Sequence, residues 1–132
     1  EVLEQFKPEK IRRVISEKTS LQMVEILKSA VKSGTGKKAA LDGFDVGGKT
    51  GTAQKYNMVT QSYSKTEFIS SFIGFAPADS PRLVILVMID NPKERHWGSV
   101  VAAPVFRKIA KKALRYLNVP SSKERVFILG RA

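Results

Sequence analysis

The chain contains no cysteine and a single histidine, His96, among its 132 residues. Without thiols there is no disulfide and no thiolate metal site, and one imidazole cannot assemble a ligand cluster alone. The sequence therefore predicts neither a bound metal nor a cofactor. Acidic side chains are also scarce: 12 Asp and Glu stand against 23 Lys and Arg, a formal net charge of +11. Such a balance draws anionic partners in principle, but the placement of the charges reads as a solvated outer surface, and no nucleic-acid partner is expected. No apolar run approaches the roughly 20 residues of a membrane span, and no signal peptide is recognisable. Internal repeats and low-complexity tracts are missing too. The length suits one core and is short for two domains. Because the chain begins at Glu1 and not at Met, it reads as a piece of something longer.

What remains is an ordered set of elements. Residues 1–13 mix charges with Phe6, Pro8 and Ile11 and read as an irregular lead-in. Thr19-Ser20-Leu21-Gln22 has the form of a capping box. Behind it Leu21, Val24, Leu27 and Val31 recur at helical spacing, widened by Met23, Ile26 and Ala30, and Gly34 stands where a helix C-terminal cap is expected. A glycine-rich basic connector over 33–45 leads to a strand at 47–55, and the polar run 57–65 reads as a loop. Two apolar strands, 68–76 and 83–89, are joined only by Pro77-Ala78-Asp79-Ser80-Pro81. A parallel crossover needs a dozen or more residues, so this pair is an antiparallel hairpin. The strand 83–89 has no polar break, which predicts cover on both faces. After a turn at 90–98, a second helix over 103–117 places Val105, Phe106, Ile109, Ala113, Leu114 and Leu117 on one side. Arg107, Lys108, Lys111, Lys112 and Arg115 fill the other, and Pro104 sits near its start. The expectation is an α+β layer, a three-stranded antiparallel sheet flanked by an N-terminal and a C-terminal helix. It fills residues 1–118, with 119–132 as a tail.

Chemistry concentrates in Val46-Gly47-Gly48-Lys49-Thr50-Gly51-Thr52-Ala53-Gln54-Lys55. Two glycines ahead of a lysine let a backbone approach a ligand closely, and Lys49, Thr50 and Thr52 offer one ammonium and two hydroxyls. These groups suit a carboxylate or a phosphate. Residues 43–50 satisfy G-x-x-x-x-G-K-[ST], so a P-loop-like nucleotide-binding module is the alternative reading. A phosphate loop, however, needs a buried strand before it and a helix after it, and neither flank has that composition. The antiparallel hairpin argues the same way.

Read instead as Lys-Thr-Gly on a strand, the stretch is the third signature of the serine penicillin-recognising enzymes. Four blocks occur in order: 33–40 with Ser33-Gly34-Thr35-Gly36, then 47–55, then Ser71-Phe72-Ile73-Gly74-Phe75-Ala76-Pro77-Ala78, then Val101-Ala102-Ala103-Pro104-Val105-Phe106. Together they resemble the C-terminal part of the transpeptidase domain of class B penicillin-binding proteins, the cell-division-type peptidoglycan D,D-transpeptidases. The resemblance implies a serine-type enzyme that cross-links stem peptides ending in D-Ala-D-Ala through an acyl-enzyme and binds β-lactam antibiotics. It gives Lys49 the role of a cation that also tunes the proton network, and Thr50 and Thr52 the role of carboxylate ligands. Gly51 would let substrate lie against the strand, and the Thr52 N–H would be an oxyanion donor. Catalytic roles thus fall on Lys49 and Thr52, substrate contacts on Lys49, Thr50, Gly51 and Thr52.

The nucleophile motif is not convincingly present. Ser29-Ala30-Val31-Lys32 and Ser62-Tyr63-Ser64-Lys65 match S-x-x-K, but the first lies near a helix end and the second in a polar stretch. Tyr116-Leu117-Asn118 matches a Y-x-N variant at the end of a helix. All three are read as chance matches, and the chain alone is expected not to acylate. His96 falls in a turn and is read as structural. The resemblance further implies partners in the remainder of the same domain and in divisome membrane proteins. It implies a periplasmic, extracytoplasmic location with an N-terminal anchor outside this chain. In the family the last strand here pairs with an N-terminal strand, so its edge and one sheet face are expected to be open in this chain alone.

Overall fold

A computed structural model describes residues 9–121. In chain order they form α1 (Glu17–Lys32), a 3-10 turn (Lys37–Ala39), β1 (Gly47–Asn57), β2 (Ser62–Ala76), β3 (Leu83–Asp90), a single helical turn α2 (Gly98–Val101) and α3 (Ala103–Tyr116). The sheet is antiparallel in the order β1-β2-β3, so both β1 and β3 are edges. This is the expected α+β arrangement, with α2 added. A lone turn that opens on Gly98 carries too short a pattern to read as a helix. Residues 1–8 of the lead-in and 122–132 of the tail lie outside the described residues.

The alternation of β2 sets the layers. Phe68, Ser70, Phe72 and Gly74 point to one face, together with their β1 partners Gln54, Thr52, Thr50 and Gly48. On that face Phe72 and Phe106 of α3 meet edge to face at 4.9 Å, and both are fully buried. Ala103, Phe106, Ala110 and Leu114 form the buried stripe of α3, and Val31 of α1, Val46, Ala76 and Val87 complete the core. The expected stripe of α3 was partly wrong: Val105, Ile109 and Leu117 are exposed, and Ala103 and Ala110 are buried in their stead. Small residues let the helix lie close enough for Phe106 to reach the Phe72 ring.

The opposite face is open. Ile73 on β2 and Val84, Leu86 and Met88 on β3 are each about half exposed or more. The unbroken apolar run of β3 therefore does not have cover on both faces in this chain, contrary to its pattern. Similarly, Val24, Leu27 and Val31 of α1 turn inward as expected, whereas Leu21, Met23 and Ile26 remain exposed.

Three local expectations are corrected. The cap of α1 is Ser16, whose Oγ accepts from the Thr19 N–H at 3.1 Å, so the helix starts at Glu17 and Thr19 is already inside its first turn. At the other end the cap is Ser33, and Gly34 does not adopt the positive φ of a glycine cap; the positive-φ glycine among the described residues is Gly43. The polar run 57–65 is no long loop. Asn57 Oδ1 accepts from the Val59 and Thr60 amides, the chain turns, and β2 begins at Ser62. A ribbon of two strands results, with Tyr56 and Tyr63 paired across it at 5.3 Å.

Candidate active site

Lys49, Thr50, Gly51 and Thr52 lie together on β1, along the edge that carries no partner strand among the described residues. The strand period separates them: Lys49 and Gly51 share the open face, Thr50 and Thr52 the helix-covered face. The lysine nevertheless joins the two sides. Its Nζ donates to the Thr50 carbonyl at 2.9 Å and lies 3.4 Å from Thr50 Oγ1, so the ammonium curls around the strand edge. Thr50 Oγ1 is in turn 3.0 Å from Thr35 Oγ1, which hangs from the connector after α1. Thr52 Oγ1 accepts from the backbone N–H of Gly98 at 3.1 Å. All four expected residues thus lie along one edge, exposed or half-exposed, with the Lys49 ammonium beside the Thr50 hydroxyl.

The glycines before the lysine have a different reason from the one expected. A methyl at Gly47 would fall on the Phe75 ring, and one at Gly48 would lie 2.6 Å from Phe72 Cζ and 2.7 Å from the Ile73 carbonyl. What they admit is an aromatic ring on each face of the sheet, not a ligand. That packing sets the strand against β2 just upstream of Lys49.

Two residues at the site escaped sequence reasoning. Thr35 sits inside a motif block, but nothing in its spacing pairs it with Thr50. Gly98 stood at the end of an apparent turn, and an isolated glycine ahead of small apolar residues was the signal available. His96 behaves as a structural residue: its ring stacks on Phe68 at 4.0 Å and 12°. Ser29 lies near the C-terminal end of α1 and Ser62 opens β2. The run 43–50 leads into β1 and not into a helix, so it lacks the converging amides a phosphate loop requires.

Comparison with known proteins adds an independent line. A family model described as the penicillin binding protein transpeptidase domain matches residues 3–111. Stage V sporulation protein D of Bacillus subtilis (strain 168) is 47% identical over 116 residues, 87% of this chain and 18% of that protein. A probable peptidoglycan D,D-transpeptidase PenA of Neisseria flavescens is 42% identical over 114 residues, 85% of this chain and 28% of that protein. Among solved structures, the TP domain of Burkholderia pseudomallei penicillin-binding protein 3 superposes with a TM-score of 0.74 at 41% identity, over 84% of this chain and 34% of that one. Penicillin-binding protein 3 of Mycobacterium tuberculosis, complexed with ampicillin, gives a TM-score of 0.77 at 35% identity, over 90% of this chain and 28% of that one. The chain spans less than a third of the length of these curated relatives.

Proposed function

Because the chain belongs to the penicillin-binding protein transpeptidase domain family, matched over residues 3–111, we propose that it forms one wall of the active site of a peptidoglycan D,D-transpeptidase. The observation that carries this reading is the outer edge of β1, unpaired among the described residues, where the Lys49 ammonium lies beside the Thr50 hydroxyl and Thr52 follows two residues on.

In the reaction a serine outside this chain attacks the penultimate carbonyl of a D-Ala-D-Ala stem. The serine gives up its proton, the C–N bond breaks, and D-Ala leaves with a proton on its amine. An amine of a second stem then attacks the ester, restoring the serine and closing the cross-link. Lys49, Thr50 and Thr52 hold the terminal carboxylate, and charge-assisted hydrogen bonds of this kind are the stronger ones. Gly51 keeps the strand low beneath the substrate. The Thr52 N–H donates to the oxyanion as it develops, where a fixed donor counts most. A β-lactam, whose carboxylate takes the same place, acylates the serine and stays. The remainder of the domain covers the open sheet face and the β3 edge. The whole protein works at the extracytoplasmic, periplasmic face of the membrane, anchored by an N-terminal segment outside this chain and associated with divisome membrane proteins.

Labelling the full-length protein with a fluorescent penicillin tests this. Lys49→Ala should lower the second-order acylation rate by about 100-fold or more, with the circular dichroism spectrum unchanged. Labelling unaffected by the substitution would overturn the assignment of the site.

A further inference from the structure

The segment between β3 and α2 leads the first residue of α2 to the site. It crosses the helix-covered face of the sheet, where the Ser70 hydroxyl donates to the His96 carbonyl and the His96 ring stacks on Phe68. One residue after Trp97, the buried Gly98 brings its N–H to Thr52 Oγ1 at 3.1 Å. As the first residue of α2, Gly98 has no acceptor for that N–H within its own helix.

A threonine hydroxyl has one proton to donate and two lone pairs to accept with. When a backbone N–H occupies a lone pair, the O–H must turn elsewhere and the hydroxyl presents itself as a donor. A carboxylate takes donors only. The Gly98 amide therefore selects, before any ligand arrives, the hydroxyl orientation an anion needs.

The approach depends on the missing side chain. A methyl on Gly98 would fall on the Ser71 carbonyl and lie 2.5 Å from the Gly51 carbonyl, both backbone atoms that cannot swing away. Any larger residue lifts 97–98 off the sheet and takes the N–H away from Thr52.

We propose that Gly98 is a positioning residue, whose amide orients the Thr52 hydroxyl as a donor to the substrate carboxylate. This rests on the reading that Thr52 contacts that carboxylate. In the full-length protein, stopped-flow reaction with benzylpenicillin separates the dissociation constant of the initial complex from the acylation rate. Gly98→Ala and Thr52→Val should each raise that dissociation constant about tenfold, the worth of one hydrogen bond to a charged group, while Thr52→Ser stays within about twofold. The double variant should bind no worse than Thr52→Val, because a residue that acts through Thr52 has nothing left to act on. Additive losses would overturn the proposal while leaving Thr52 as a ligand. Unchanged binding in Thr52→Val would instead overturn the Thr52 reading itself, and the proposal with it. Should Gly98→Ala fail to fold, amide hydrogen exchange at Gly98 decides. It should accelerate about tenfold in Thr52→Val and not in Thr52→Ser, and exchange that is equal in both variants would overturn the proposal.

Discussion

At the scale of single residues, the glycines beside Lys49 carry the sharpest lesson. Their place in the sequence suggests room for a ligand, but the room is taken by the rings of Phe72 and Phe75. Gly48→Ala puts a methyl against both a ring and the Ile73 carbonyl, and only the ring can give. Overpacking of this kind costs about 1–3 kcal/mol, to be read as a lower urea midpoint with an unchanged slope. An unaltered midpoint would mean that the strand has slack at this position. The four candidate site residues were legible because hydroxyl, ammonium and glycine follow one another along a strand. Thr35 and Gly98 were not, because each meets its partner only through folding: Thr35 is 15 residues before Thr50, and Gly98 is 46 after Thr52.

At the scale of elements, the antiparallel hairpin, the central β2 and the two long helices could be read from apolar spacing and the shortness of the connection. Boundaries could not. Ser16 and Thr19 are both competent caps, and the first wins because its Oγ reaches the Thr19 amide. Ser16→Ala should then destabilise α1 by about 1 kcal/mol, and Thr19→Ala by less, as followed by thermal melting; the reverse order would restore the capping box at Thr19. The stripe of α3 was misjudged because alanine carries little hydrophobic signal, yet Ala103 and Ala110 are among its buried positions. Phe106→Ala, which empties the contact with Phe72, should cost about 3–5 kcal/mol. A loss below about 1 kcal/mol would show that this face is not the core.

Across the sheet, Lys55 of β1 pairs with Asp90 of β3 at 2.9 Å. The hydrogen bond to Asp90 and then its charge raise the lysine above its usual range, with Glu67 adding to this and partial desolvation opposing it. A folded-state value above the unfolded one means that the pair stabilises fully below the ordinary lysine value of 10.5 and is lost as pH climbs through the raised one. The gap in Tm between the native chain and Asp90→Asn should therefore hold at pH 8 and 9 and close above 10.5. A gap that persists undiminished at the alkaline end would remove the pair from the sheet's stability.

At the scale of the whole molecule, the distribution of apolar surface is one-sided. One face of the sheet is packed under α3, and the other shows Ile73, Val84, Leu86 and Met88 beside the unpaired β3 edge. The sequence pattern of β3 belongs to a strand enclosed on both faces, whereas among the described residues only one face is covered. Contiguous apolar surface next to an open edge favours association. Sedimentation velocity of the isolated chain should show concentration-dependent oligomers, reduced when Leu86 and Met88 are both changed to Lys. A monomer at every concentration would mean that this face tolerates water.

The β1–β2 ribbon ends in an irregular step. Gln54 pairs with Phe68 and Tyr56 with Tyr63, so Lys55 alone faces the four residues 64–67. There the Ser64 hydroxyl, not a strand partner, accepts the Thr66 and Glu67 amides. To a protease this is a stretch of sheet backbone outside the regular ladder, with Lys65 exposed in the middle of it. A single tryptic nick after Lys65 would divide the chain in two without releasing either half, since the ladder from Gly47–Phe75 to Gln54–Phe68 joins a strand from each side of the cut.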